Sequence, residues 1–362
     1  MSRVKLGDVA FEHKETLKDN SKSNLPIVGL EHLVSGDIRL TNWDENTENT
    51  FSKVFRKGCV LFGRRRAYLK KAAYAHIDGV CSGDIIVIEA RPERILPELL
   101  PFIIQNDDLF DYAVGKSAGS LSPRVKWENL KNYEFDLPTL GEQKKLANIL
   151  WSIQETIESY KDLLSKTDDL VKSQFVHLIK THPGELKLLE ELENEGKIIL
   201  GRGQVISKEE IADNKGNYPV YSSSATNDGI IGLYSKYMFD DERITWSIDG
   251  GGKFFYRKPH RYSVTNVCGW LKVVSKDILT EYLYYALSNE WKNKTFDYVH
   301  KAHPSVIRKE YNLLIPELSI QRKFIDIAQK SDDAKLKLEK CIQDSISMFK
   351  RIIKENFGVK EE

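Results

Sequence analysis

From Leu146 to Leu178 the apolar positions fall on a seven-residue beat. Leu150, Ile157, Leu164, Val171 and Leu178 recur at one heptad position, and Leu146, Ile153, Tyr160, Thr167 and Gln174 fill the other. Such a seam over several heptads predicts a coiled-coil helix. No proline or glycine interrupts it between Glu142 and His182, so the helix is about 40 residues, roughly 60 Å long. Pro183 and Gly184 then stop it. A second, weaker seam runs through Phe324, Ala328, Ser331, Lys335, Leu338, Ile342, Ser345, Phe349 and Ile352. With Ser331 and Lys335 intruding, this helix needs a partner, and the first helix, packed antiparallel, is the simplest one.

Both helices are entered through the same phrase. "DLPTLGEQKKLANIL" begins at Asp136 and "LIPELSIQRKFIDIA" at Leu314, in a register given by Pro316 minus Pro138, 178 residues. Pro138/Pro316, Leu140/Leu318, Gln143/Gln321, Lys145/Lys323 and Ile149/Ile327 are identical, and Tyr133/Tyr311 keeps step upstream. An ungapped match of this quality marks an internal duplication. The domains also open alike, Val4-Lys5-Leu6 against Leu186-Lys187-Leu188.

Ahead of each helix the pattern changes. "GCVLFG", "DIIVIEA", "NYPVYSS", "ERITWSI" and "GWLKVVS" are short β-branched and aromatic runs bounded by Gly, Asp or Pro. Helical stretches, "PELLPFIIQNDDLFDYAV" and "ILTEYLYYALSNEWKNKTF", lie between them. The expected fold is mixed α+β: an α/β domain over 1–138, a long helix over 139–182, a second domain over 183–316 and a second helix over 317–362. Two α/β domains are thus separated by two long antiparallel coiled-coil helices in a pseudo-two-fold repeat.

At 362 residues the chain suits two or three domains. Its 41% hydrophobic and 30% charged content is that of a soluble globular protein. No apolar run reaches a membrane span and the amino terminus lacks a signal-peptide core, so a cytoplasmic location is expected. Cys59, Cys81, Cys268 and Cys341 are scattered and read as reduced thiols. The formal net charge of +1 gives a nucleic-acid partner no support by itself. That case rests on where the basic residues cluster.

Catalytic motifs are missing. "DGGGKFF" has Ser247 where a P-loop needs glycine and Phe254 where it needs Ser or Thr. No Pro-Pro occurs, so the Asn/Asp-Pro-Pro-aromatic motif of base methylation is absent. Glu185-Leu186-Lys187 has the spacing of a nuclease pair without an upstream Pro-Asp, and His300 and His303 have metal-like spacing without completing ligands. No enzyme and no metal site is expected.

Basic and small polar residues do cluster, at comparable places in both halves. Arg64, Arg65, Arg66 and Lys70 surround Tyr68, and a later loop carries Lys116, Ser117 and Arg124. The second half offers Ser223, Ser224 and Asn227, then Lys253, Tyr256, Arg257 and Lys258, then Asn266. "YVHKAHPSVIRKE" adds Lys301, His303 and Arg308, its Pro304-Ser305-Val306 set against Pro123-Arg124-Val125. Such residues supply phosphate contacts and hydrogen bonds to base edges.

The helix entrances, with the strands and loops before them, resemble the specificity subunits of type I restriction–modification systems. "KGCVLFGRRRAYLKKAAYA" also resembles that family's first-domain pattern. The resemblance implies two target-recognition domains reading two half-sites of double-stranded DNA, held about one DNA turn apart, roughly 34 Å. It implies a non-catalytic chain that docks two methyltransferase (modification) subunits, which carry S-adenosylmethionine and methylate adenine N6 on a flipped base. A restriction subunit working with ATP and Mg can join. Pro138, Leu140, Gln143, Pro316, Leu318 and Gln321 are the expected helix-entrance or partner contacts. The alternatives are the specificity component of a type IIB-like or phage-exclusion methyltransferase system, or a coiled-coil scaffold for proteins.

Overall fold

The computed structural model describes residues 2–17, 25–45, 50–182, 184–223, 227–249, 251–296 and 301–358. Pro183, Ser224 and His300, singled out above, lie outside them. The chain forms two compact units, Met1–Asp162 with Leu338–Glu362, and Leu163–Lys337.

In the first unit, β1 (Ser2–Lys5) leads into a single turn, α1 (Leu6–Val9), and then β2 (Ala10–Glu12). There follow β3 (Ile27–Val28), β4 (Lys53–Phe55), β5 (Val60–Gly63), β6 (Ala72–Tyr74), β7 (Gly79–Cys81) and β8 (Ile85–Ala90). Helices α2 (Leu100–Ile104), α3 (Asp107–Gly115) and α4 (Trp127–Leu130) precede β9 (Glu134–Leu137) and the long α5 (Leu140–Thr181). The expected single helix from Pro97 is broken, because Asn106 stops one segment and caps the next, its side chain accepting from Asp108 N at 3.1 Å.

The second unit repeats the order. It holds β10 (Glu185–Leu188), α6 (Leu189–Asn194), β11 (Ile198–Arg202), α7 (Lys208–Asp213), β12 (Lys215–Tyr221) and β13 (Ile230–Tyr234). Then come β14 (Arg243–Ser247), β15 (Phe254–Arg257), β16 (Ser263–Val264), β17 (Cys268–Val273), α8 (Thr280–Trp291), α9 (Pro304–Glu310), β18 (Asn312–Ile315) and α10 (Leu318–Phe357).

Among the described residues, each unit has one two-stranded, one three-stranded and one four-stranded sheet. The four-stranded sheets run β2-β8-β5-β6 and β11-β17-β14-β15, antiparallel throughout. The two-stranded closures match residue for residue: Leu137 opposite Ser2 and Ile315 opposite Glu185, Glu134 opposite Lys5 and Asn312 opposite Leu188. The three-stranded sheets share a parallel pair, β3 with β7 and β12 with β16, but the third strand joins β7 in one and β12 in the other.

These bonds correct two alignments made from the letters. Leu6 N donates to Tyr133 O at 2.8 Å and Leu189 N to Tyr311 O at 3.0 Å. Leu6 therefore matches Leu189, both fully buried, one residue on from the pairing with Leu188. Val125 N donates to Arg64 O at 3.0 Å and Ala302 N to Ile248 O at 3.1 Å. Val125 thus matches Ala302, not Val306, and Arg124 matches Lys301.

The heptad seam is what the long helices bury. Leu150, Ile153, Ile157, Val171 and Leu178 are buried, while Leu164 and Thr167 are half-buried. In the second unit, Phe175 of α5 meets Phe324 of α10 edge-on at 5.2 Å, in one core with Val171, Leu178 and Ala328. Lys335 reaches back to Asp168 at 2.9 Å. Contacts that run 175 to 324 and 168 to 335 define antiparallel helices. The polar intrusion is thereby filled, since the ammonium in the α10 seam finds a carboxylate on α5.

Candidate nucleic-acid interface

In the first unit the two basic stretches come together. The turn between β5 and β6 winds through a 3-10 turn, Ala67–Leu69, with Arg66 and Lys70 on either side in the left-handed region, φ 54° and 49°. Arg66 N donates to Pro123 O at 2.8 Å, and Arg65 bridges to Arg124. The loop after α3 is therefore laid against this turn.

Most of these cations are spent internally. Arg124 forks onto Asp84 at 2.7 and 3.2 Å, holding that carboxyl below its ordinary pKa. Arg65 donates to Ser122 Oγ at 2.6 Å and lies 3.6 Å from the same carboxylate. Arg64 Nε donates to Val125 O at 3.2 Å. Lys70 pairs with Asp107 at 2.6 Å, which raises its pKa. Ser117 bonds back to Ala113 O. Outward-facing groups remain: Arg66, whose side chain has no polar partner among the described residues, Tyr68 at 54% exposure, and Lys116, which lies over the Tyr112 ring.

The second unit divides its candidates in the same way. Arg257, on β15, is only 7% exposed. Its guanidinium lies 3.6 Å from the Tyr221 ring and 4.8 Å from that of Phe255, and donates to Thr245 Oγ1 at 3.0 Å and Asp228 O at 2.9 Å. Burial draws its pKa below the ordinary value. Tyr256 donates to Glu242, Ser223 to Val267 O, and Lys301 pairs with Asp249 at 2.8 Å. Asn266 O accepts from Arg202. His303 caps α9, and Arg308 is paired with Glu193 at 3.0 Å. Asn227, in the left-handed region, and Lys253 and Lys258 face outward.

The repeated glutamines lie inside. Gln143 Oε1 accepts from Leu96 N at 2.9 Å and its Nε2 donates to Pro138 O at 3.0 Å. Gln321 Oε1 accepts from Leu279 N at 2.8 Å, and its Nε2 donates to Asp277 O and Pro316 O at 2.9 and 2.8 Å. Each side chain ties the start of a long helix to the backbone that opens the domain's own helical segment. Pro138 and Pro316 are buried beside them, Leu318 is half-buried, and Leu140 is exposed.

No catalytic constellation stands among the described residues. Glu185 and Lys187 pair with each other at 3.0 Å on β10. His13, Cys59 and Glu89 offer metal-ligand atoms within 4.8 Å of one another. However, the imidazole is already engaged by Glu89 at 2.7 Å and Glu15 at 3.2 Å, and burial pushes the Cys59 thiol up to about 11. That trio is satisfied without an ion. A cavity of about 760 Å³ in the second unit is lined by both charge signs, Asp168, Glu281 and Asp332 facing Lys258 and Lys335.

The chain thus carries two duplicated domains, each with outward cations and each tied by a buried glutamine to a long helix. Residues 1–166 and 195–348 match the family described as type I restriction modification DNA specificity domain. The chain belongs to this family: it is a determinant of DNA specificity, not a catalyst. A type I specificity subunit of Mycoplasma pneumoniae is 32% identical over 57% of this chain and 77% of its own length. The specificity subunit of the type I restriction enzyme MpnII, from the same organism, is 39% identical over 35% of this chain and 38% of its own. The crystal structure of a type I restriction–modification S subunit from M. genitalium shares the fold, with a TM-score of 0.63 at 13% identity, over 99% of this chain and 96% of that one. A chain from a structure of type I restriction–modification complex assembly gives 0.61 at 18% identity, over 98% and 97%.

Proposed function

We propose that this chain reads a two-part double-stranded DNA target, one half with each unit, and carries that address to a methyltransferase. The duplicated reader supports this most directly: the same strand closure, the same glutamine tie and the same parallel strand pair occur once per unit. Outward Arg66, Tyr68 and Lys116 in the first unit, and Asn227, Lys253 and Lys258 in the second, are the direct DNA contacts in this reading. Arg64, Arg65, Lys70, Ser117, Arg124, Ser223, Tyr256, Arg257, Asn266, Lys301, His303 and Arg308 shape the surfaces that present them.

Two modification subunits would bring S-adenosylmethionine and methylate adenine N6, and a restriction subunit, where present, ATP and Mg. The location would be cytoplasmic; no helix among the described residues is long and apolar enough to cross a membrane.

Sequencing of methylated adenines in cells carrying this chain with its modification subunit tests the reading. A two-part motif with an unspecified gap, lost on deletion of this chain, is the expected result. Unchanged methylation with a demonstrably assembled complex would instead favour a protein scaffold. Log affinity for DNA should also fall steeply with log salt, as phosphate contacts require.

A further inference from the structure

The loop between α3 and α4 has a construction that its sequence hides. Ala118 and Arg124 exchange both backbone hydrogen bonds, at 3.1 and 2.9 Å, so the five residues between them close as a tight hairpin. Gly119 takes φ +115°, which a side chain would resist. The base of the hairpin is tied at three points: to the β5–β6 turn by Arg65 to Ser122 Oγ and Arg66 N to Pro123 O, and to the β7–β8 turn by Arg124 forked on Asp84. Three polar ties therefore brace a projection only five residues long.

At its tip stands Leu121, 92% exposed, the most exposed large apolar side chain of the described residues. A leucine contributes nothing to the unit's own core from there. Arg66 points outward beside the base, and Tyr68 and Leu69 are 54% and 42% exposed on the adjoining turn. Cations around an apolar tip suit a duplex, whose phosphates meet the rim while the tip meets bases. Leucine is among the side chains that enter base steps and unstack them. Pushing a base step apart requires a rigid carrier, which the three ties supply.

We propose that Ala118–Arg124 is a wedge finger whose Leu121 side chain enters the base stack of the half-site read by the first unit. Arg65 and Arg124 act as positioning residues: they hold the finger and leave phosphate contact to Arg66. The proposal rests on the DNA-reading function above.

The test uses the chain assembled with its modification subunits and two fluorescent duplexes, one bearing the methylated motif and one without it. Leu121→Ala should weaken binding to the motif duplex about tenfold, leave binding to the other duplex unchanged, and leave the slope of log affinity against log salt unaltered. Leu121→Phe should retain affinity, because it keeps an apolar wedge. Neither change should lower the melting temperature. Wild-type affinity in Leu121→Ala, or an equal loss on both duplexes, overturns the wedge alone. A native complex that does not discriminate the duplexes overturns the DNA reading and the wedge with it.

Discussion

Gln321 satisfies a backbone N–H and two carbonyls with one fully buried side chain. Gln321→Ala leaves those groups unpaired and opens a cavity, so it should cost about 2–4 kcal/mol of the second unit's stability. Gln143→Ala, which removes two bonds, should cost less; chemical denaturation followed by unit-specific hydrogen exchange separates the two. Arg257 makes the same point for a charge. Held between two rings and two oxygens, it should reveal itself first as a stability residue: Arg257→Ala should lower unfolding free energy by about 2–4 kcal/mol. Lys253→Ala should leave stability intact and weaken DNA binding. Binding isotherms and melting curves on both variants check the contrast. The sequence shows that these arginines cluster, but not which are spent, because Asp84 lies 40 residues from Arg124 and Asp228 lies 29 from Arg257.

At the scale of elements, what was legible is what depends on local period. The α5 seam, the strands β5, β8, β12, β14 and β17, and the repeated helix entrance all follow from spacing. Strand partners and the short strands β3, β7 and β16, two or three residues each, carry no such period. Small shared words, Lys-Leu and Pro-x-Val, suggest a register of the repeat that differs from the one set by backbone bonds, which no letter records. The α10 seam offers a test of its one charged position. Since Lys335 is held by Asp168 at 2.9 Å and Asp332 at 2.7 Å, replacing it removes an ion pair of low worth and gains apolar contact. Lys335→Leu should therefore melt at the same temperature or higher. A clear fall in thermal melting would make the ion pair a determinant of stability.

At the scale of the whole molecule, the first unit is not continuous in sequence. The last turns of α10 belong to the first unit, where Phe349 packs edge-on to Phe102 at 5.6 Å and Asn106 donates to Phe357 O at 3.2 Å. A chain stopped after Asp344 should thus lose hydrogen-exchange protection in the first unit, while the second keeps its own. The same wiring sets a timetable during synthesis. The second unit is complete in the polypeptide once Lys337 has been made, whereas the first must wait for residues beyond it. At elongation speeds of roughly 5–20 residues per second, the earlier-made domain stands unfinished for about 10–40 s with the seat for Phe349 and Phe357 uncovered. The domain translated first is the one finished last, and a chaperone that shields an apolar seat has its opening in that interval.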